Sequence, residues 1–152
     1  MGLPDFRIHF GCLTRRPGDT KILGERQQPV QGGVMKQVSK FLGILTLEIE
    51  DMQDDIALLI GQIEVKRSNG LYTEYVAREN NALYRVELDA LSDFLSEVRS
   101  CDPVLFESAE EVIQHLSSTI PEKVRDGLYP PMMTGLLLRK MEKIRDFVKL
   151  SC

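Results

Sequence analysis

The chain has 152 residues, enough for one domain, and its 43% hydrophobic and 28% charged residues are ordinary for a globular protein. A net charge of −4 and a pI near 5.3 argue against general nucleic-acid binding, which needs a basic surface. The three cysteines, Cys12, Cys101 and Cys152, are widely spaced and form no CxxC pair. We therefore expect a reducing compartment, cytoplasmic or an organelle matrix, and no disulfide framework.

The first 33 residues differ in composition from everything after them. They hold six of the 11 glycines and three of the seven prolines, and no helical period runs through them. We therefore predict an irregular N-terminal arm over residues 1–33, which is native, a leader remnant or a tag, ahead of a helical bundle domain over residues 34–152. His9 and Cys12 in this arm are zinc-ligand types, but the rest of the chain lacks a second pair at the spacing of a zinc site.

A long amphipathic helix is predicted from residue 34 to residue 66. Its apolar residues alternate spacings of four and three, as one helix face does: Val38, Leu42, Leu45, Ile49, Met52, Ile56, Leu59 and Ile63. Further apolar residues lie beside this row, so a globular bundle explains the pattern better than a two-stranded coiled coil. Asn69 and Gly70 then favour a helix stop that uses a left-handed residue.

A second helix is predicted over residues 71–100, and it carries two apolar rows. One row is Tyr72, Val76, Leu83, Val86, Ala90 and Phe94, and the other is Tyr84, Leu88, Leu91, Leu95 and Val98. Two rows indicate burial on two sides, which predicts a central position for this helix. Because the link to the first helix is short, the two helices are predicted to form an antiparallel hairpin.

Shorter helices follow the hairpin. Asp102 is predicted to be the N-cap of a helix. This helix would have Pro103 at its first position and Leu105 on the side that faces the core. Pro121 is predicted to open a separate turn, and the last helix is predicted over residues 131–150. The predicted fold class is therefore all-α, a helical bundle built on a long antiparallel helical hairpin with two or three shorter helices.

Three acidic residues of the first helix, Glu48, Asp51 and Asp55, share one face at spacings of three and four. A calcium loop needs a sharp glycine turn and a di-iron bundle needs inward Glu-x-x-His pairs, so neither metal and no other cofactor is predicted. The last helix carries five basic against two acidic residues, among them Arg139 and Lys143. We interpret the three acids as a solvated helix face or, alternatively, as a docking face for a basic partner. We expect the basic last helix to lie along the acidic hairpin within one molecule or, alternatively, to meet it in a different molecule.

Two further features have a structural and a functional interpretation. Glu79 interrupts an apolar row of the second helix, so it lies in a solvated patch or a helix break, or it is a buried polar group that fixes register or meets a partner. Met132 and Met133 belong to the core, or with the neighbouring basic residues they form an adaptable groove or a membrane-surface helix.

The tetrapeptide MMTG, followed by Arg139, resembles a stretch of a plant and cyanobacterial domain family of unknown function that is largely plastid-associated. The segment KMEKIRDF after Arg139 departs from the pattern of that family. The resemblance implies a plastid or cyanobacterial protein, and it implies no activity.

None of the common phosphate-binding or nucleophile motifs, GxxxxGK[ST], GxSxG or GxGxxG, occurs in the chain. We therefore predict a non-catalytic protein-interaction or scaffold module, with self-association as one form of it. The alternatives are a small-molecule or metal-binding helical-bundle enzyme and a peripheral membrane protein that uses the basic last helix. The residues predicted to contact a partner are Glu48, Asp51, Asp55, Glu79, Met132, Met133, Arg139 and Lys143.

Overall fold

Residues 31–151, which the computed structural model describes, form four α-helices and one short 3₁₀ helix, with no strand in that range. The helices are α1 (Gln31–Ser68), α2 (Glu74–Ser100), the 3₁₀ helix (Pro103–Leu105), α3 (Ala109–Arg125) and α4 (Met132–Leu150). The predicted all-α bundle on a long helical hairpin is confirmed. α1 begins three residues before the predicted start, while residues 1–30, with His9 and Cys12, lie outside the described residues.

The turn between α1 and α2 is built on Gly70, which has a φ of 73°. The Leu71 amide donates to the Lys66 carbonyl at 2.9 Å, which satisfies one of the last carbonyls of α1. Thr73 then caps α2, because its side chain accepts a hydrogen bond from the Val76 amide at 3.2 Å. The predicted stop at Asn69 and Gly70, and the antiparallel hairpin that follows from it, are confirmed.

Polar contacts fix the direction in which α4 packs on α1. Lys140 pairs with Glu48 at 2.6 Å, near the middle of both helices. Lys40, near the start of α1, donates to Ser151 at 2.8 Å, just past the end of α4. The two helices are therefore antiparallel, and the basic last helix lies along the hairpin of its own molecule.

Polar contacts show that α3 runs antiparallel to α2. Thr119 donates to Glu97 at 3.2 Å, and one turn further along α3 the ammonium of Lys123 pairs with Asp93. A short turn then leads from α3 into α4, which returns beside it. The hairpin of α3 and α4 thus covers one side of the hairpin of α1 and α2.

The core lies between these two hairpins. Its buried side chains are Val38, Phe41, Leu42, Leu45, Ile49, Ala90, Leu91, Phe94, Leu95, Val98, Ala109, Val112, Ile113, Leu116, Ile120, Tyr129, Met133, Leu137, Met141, Ile144 and Val148. Apart from the tyrosine hydroxyl, all of them are apolar, and no charged side chain is buried within residues 31–151. α1 contacts every other helix, so the prediction that the second helix is the central one is wrong.

The start of α3 differs from the prediction. Asp102 does accept a hydrogen bond from the Val104 amide at 3.0 Å, as a cap should, but only the three-residue 3₁₀ helix follows it. α3 begins after Ser108, whose hydroxyl accepts from the Glu111 amide at 3.2 Å. Leu105, predicted to face the core, is exposed as a result.

Pro121 lies inside α3 and does not open a separate turn. A proline removes one helical N–H donor, but Ile120 beside it is fully buried, and this packing holds the last turn in helical form. The helix ends instead at Gly127, which has a φ of 76° and takes the left-handed position after the last turn. The glycine, and not the proline, terminates this helix.

Candidate functional site

The hairpin of α1 and α2 is longer than the pair of helices that packs on it. α1 has 38 residues and α2 has 27, against 17 for α3 and 19 for α4. α4 starts at Met132, and because Lys140 meets Glu48 in an antiparallel pair, that start lies level with Ile56. Residues 57–89 therefore extend beyond α3 and α4 by roughly 20 Å at 1.5 Å per residue. We call residues 57–89 the projecting hairpin and the rest of residues 31–151 the body.

One apolar row of α2 shows where the covering helices end. Phe94 and Ala90 on this row are buried in the core. Toward the tip, Val86, Leu83 and Val76 continue the same row and are 45%, 65% and 38% exposed. Spacings of three, four and seven residues keep all five on one side of the helix, so the change in exposure reflects the missing cover and not a change of face.

The core-facing row of α1 behaves in the same way only in part. Leu45 and Ile49 are fully buried, Met52 and Ile56 are half-buried, and Leu59 is 39% exposed, but Ile63, the next residue of the row, is only 6% exposed. Beyond the start of α4 the row therefore exposes Leu59 and keeps Ile63 buried. Since the buried parts of both rows point into one core, their continuations point to one side of the projecting hairpin. This side is the uncovered face, and its exposed apolar residues are Leu59, Val76, Leu83 and Val86.

The uncovered face has the character of an interaction surface. Its exposed apolar side chains lie on two neighbouring helices, Leu59 on α1 and Val76, Leu83 and Val86 on α2, whereas isolated exposed apolar residues are common and carry no meaning. Charged residues, among them Asp55, Lys66 and Glu79, are exposed at its edges. An apolar centre with a charged rim is the usual composition of a protein–protein interface.

The projecting hairpin also has a groove lined by charges of both signs. Arg67 pairs with Glu64 and, at 3.1 Å, with Glu74 across the turn. The hydrogen bond from Arg67 lowers the pKa of Glu64. In the same groove the side-chain oxygen of Asn81 is buried with no hydrogen-bond partner among the described residues. These ion pairs join the two ends of the turn, while Arg78 and Arg85, which line the same groove, form no ion pair within residues 31–151.

A polar cluster fixes the base of the projecting hairpin to the body. Tyr129 donates its hydroxyl to Asp93 at 2.7 Å, and Lys123 donates to both Asp93 and Glu97. Thr119 adds a hydrogen bond to Glu97 at 3.2 Å. The cluster joins α2, α3 and the turn before α4, so it holds the end of the covering helices in place.

The charges in this cluster serve structure and not nucleophilic chemistry. The hydrogen bond from Lys123 lowers the pKa of Asp93. Burial lowers the pKa of Lys123, but its hydrogen bonds with Asp93 and Glu97 more than offset this and raise that pKa above the ordinary lysine value. Burial, together with the bond to Asp93, raises the pKa of Tyr129. A lysine held protonated by two carboxylates offers no lone pair to a substrate.

The acidic residues predicted from the sequence separate into paired and unpaired ones. Glu48 is paired with Lys140 of its own molecule at 2.6 Å. Asp51 and Asp55 are exposed, and neither takes part in an ion pair within residues 31–151. Glu79 is exposed in an unbroken α2, so it is neither a buried polar group nor a helix break. Of this group, Asp55 and Glu79 lie beside the uncovered face.

The predicted residues of the last helix also separate. Met133 is buried in the core, whereas Met132 is 68% exposed at the end of the body from which the hairpin projects. Arg139 is exposed and donates to the Gly135 carbonyl at 3.2 Å. Lys143 is exposed and lines a shallow groove with Glu48. The eight predicted residues therefore do not converge on one site.

Sequence reasoning missed the polar cluster and the uncovered face. Asp93 and Glu97 are four residues apart beside an apolar row, which is a signal for a shared partner, but nothing in the spacing names Lys123 as that partner. Leu59 and Leu83 were placed on the correct rows, and only their cover was unknown. Their exposure follows from the relative lengths of the helices.

Two other kinds of site are not found in the part of the chain that the structure describes. No group of three or more His, Cys, Asp or Glu side chains there could hold a metal ion. None of the helices between residues 31 and 151 is both long and apolar enough to cross a membrane. No protein-family model, no curated protein and no solved structure matches this chain.

Proposed function

We propose that this protein is a non-catalytic interaction module that binds a protein partner through the uncovered face of its projecting hairpin. One observation carries the proposal: the apolar rows that form the core of the body continue over the projecting hairpin with no helix of residues 31–151 covering them. A partner that supplies helices in the place of α3 and α4 would extend the same core.

The energetics support this proposal. Fully burying an exposed large aliphatic side chain stabilises by roughly 1.5–3 kcal/mol, and because Leu59, Leu83 and Val86 are 39%, 65% and 45% exposed, covering each of them gains about half of that. The surface is also preorganised. Gly70 gives the turn its left-handed residue, and the ion pairs of Arg67 join the two ends of the turn. The ion pairs of Lys123 connect the base of the projecting hairpin to the body. Little conformational entropy is then lost when a partner binds.

The proposal extends to the compartment. Cys101 is a free thiol, and burial together with the nearby charge of Glu97 raises its pKa, so it is less reactive than an exposed cysteine. A free, protected thiol suits a reducing compartment such as the cytoplasm or an organelle matrix. The plastid implied by the MMTG segment belongs to this same proposal.

Photo-crosslinking in the cells that make the protein tests the proposal. A photoreactive phenylalanine analogue is placed at Leu83 on the uncovered face, and in a matched variant at Gln114, an exposed position on α3. We expect discrete crosslinked protein bands from position 83 and none from position 114. Equal labelling at both positions, or none at position 83, would contradict the proposal.

A further inference from the structure

We infer that the groove lined by charges of both signs on the projecting hairpin is a second binding site, which takes an extended acidic segment of a protein. This ligand places carboxylates on Arg78 and Arg85 and a backbone N–H on the side-chain carbonyl of Asn81. We call this groove the arginine groove. The inference goes beyond the proposed function and does not rest on it, because the arginine groove and the uncovered face are separate surfaces.

The arginine groove runs between the two helices of the projecting hairpin. Glu64 and Arg67 of α1 line it, together with Glu74, Arg78, Asn81 and Arg85 of α2. Its volume is about 420 Å³, within the ~300–1,000 Å³ range of ligand-binding clefts. On α2, Arg78 follows Val76 of the uncovered face by two residues, and Arg85 follows Leu83 by two. Two residues turn a helix by about 200°, so the arginine groove and the uncovered face lie on opposite sides of α2.

Two positive charges in the arginine groove have no counter-charge. Arg78 and Arg85 are exposed, and neither forms an ion pair or a hydrogen bond within residues 31–151. The acids of the groove do not neutralise them, because Glu64 and Glu74 are both paired with Arg67 near the turn. Three arginines against two glutamates give the groove a net charge of +1, in a chain whose net charge is −4. The groove therefore attracts an anionic group to its end away from the turn.

The spacing of the two arginines suits an extended peptide. Arg78, Asn81 and Arg85 are three and four residues apart, so they lie on one side of α2, and the two arginines are about 10 Å apart along its axis. A guanidinium binds a carboxylate through two parallel N–H donors. In an extended peptide, acidic side chains two or four residues apart share a face and lie about 7 or about 13 Å apart. Because arginine side chains are long, one such peptide can pair with both of them.

Asn81 adds a requirement that a simple anion does not meet. Its side-chain carbonyl oxygen is buried without a hydrogen-bond partner among the described residues, although the residue as a whole is only half-buried. Rotation about the last side-chain torsion, which has a broad energy well, turns this oxygen towards the groove, where it needs a donor. A peptide supplies backbone N–H groups beside its carboxylates. The phosphates of a nucleic acid are acceptors only, and the acidic chain repels them.

The contacts predict a weak site that depends on salt. Both arginines are exposed, so water and dissolved ions screen each of their ion pairs with a ligand. We therefore expect a dissociation constant of roughly 0.1–1 mM for a short acidic peptide at low salt. The affinity should fall as the salt concentration rises.

Titration of the isotope-labelled full chain with a short peptide of alternating glutamate and serine tests the site by NMR. We expect saturable shifts of the side-chain N–H signals of Arg78, Arg85 and Asn81 and of backbone amides along the arginine groove. The matched peptide with glutamine in place of glutamate should produce no such shifts, because it has no carboxylates.

Substitution of single arginines tests which charges bind the peptide. Arg78→Gln and Arg85→Gln should each weaken binding about three- to fivefold, because each removes one ion pair. Arg125→Gln is the matched control, since Arg125 is an exposed arginine of α3 that forms no ion pair within residues 31–151 and does not line the groove. This control should bind the peptide as the original chain does.

A depsipeptide tests the backbone contact with Asn81. In this analogue of the acidic peptide, oxygen replaces the backbone N–H groups and the carboxylates stay. Its binding to the original chain should be weaker than that of the peptide by about three- to tenfold. The variant Asn81→Ala lacks the acceptor, so it should bind the peptide and the depsipeptide equally. Equal binding of both by the original chain overturns the inference.

The remaining outcomes are also decisive. Shifts confined to the arginine groove, and weakened by Arg78→Gln and Arg85→Gln but not by Arg125→Gln, support the inference. No saturable shift up to about 5 mM peptide overturns it, and so does equal weakening by Arg125→Gln. Tighter binding of inorganic phosphate or of a short single-stranded oligonucleotide overturns the choice of an acidic peptide. The crosslink from position 83 reports on the uncovered face alone, so failure of the arginine groove and failure of the proposed function are distinguishable.

Discussion

Lys123 joins three segments of the chain at the base of the projecting hairpin. Its ammonium lies between Asp93 and Glu97 on α2, and Tyr129, from the turn before α4, donates to the same Asp93. Because Tyr129 is 2% exposed, its hydroxyl depends on this one carboxylate and on Lys123 for hydrogen bonds. The cluster fixes the point at which the body ends and the hairpin begins to project.

The stability of the protein should depend on pH through this cluster. The pKa of Asp93 is lowered in the folded state, so its contribution is present above the unfolded value near ~3.9 and is lost as pH falls through the folded value. The pKa of Tyr129 is raised, so its contribution is complete below ~10 and is lost as pH rises above that. We expect a plateau of unfolding free energy from about pH 5 to 9.

The variant Asp93→Asn tests the predicted loss of unfolding free energy at acidic pH. It should lower the free energy of unfolding at pH 7 by about 1 kcal/mol, because Asp93 is half exposed and its ion pair is screened. The difference from the original chain should shrink as pH falls below about 4. Urea denaturation at several pH values measures this, and a difference that stays constant down to pH 2 would show that the carboxylate charge plays no part.

At the scale of the helices, glycines decide where the chain turns. Gly70 and Gly127 both have positive φ and end α1 and α3. Asn69-Gly70 was readable from the sequence because that dipeptide ends a continuous apolar period. Pro121 was misread because proline usually breaks a helix, and the burial of Ile120 beside it is a tertiary effect that no local pattern reports.

Two glycine substitutions in α1 and its turn should have opposite effects. Gly70→Ala forces a side chain into the left-handed region and should lower the free energy of unfolding by about 1 kcal/mol. Gly43→Ala, in the middle of α1 where an added methyl group meets nothing within 4 Å, should raise it by up to about 1 kcal/mol. Thermal unfolding of both variants measures this. A stabilising Gly70→Ala would mean that the turn is not the one described.

For the whole molecule, periodicity predicted the rows but not what covers them. Phe94 and Leu83 lie on one row of α2, yet the first is buried and the second is 65% exposed. The difference arises because α4, with 19 residues, covers only about half of α1, with 38. The lengths predicted for the first and the last helix already differ in this way. The side to which α3 and α4 pack, and hence the location of the uncovered face, required the three-dimensional contacts.

The central structural feature is that residues 57–89 project from the body with an uncovered apolar face. Amide hydrogen exchange of the full chain tests it directly. Residues 57–89 should exchange faster than α3 and α4, because fewer side chains pack against them. Exchange in residues 57–89 that is as slow as in α3 and α4 would contradict this arrangement.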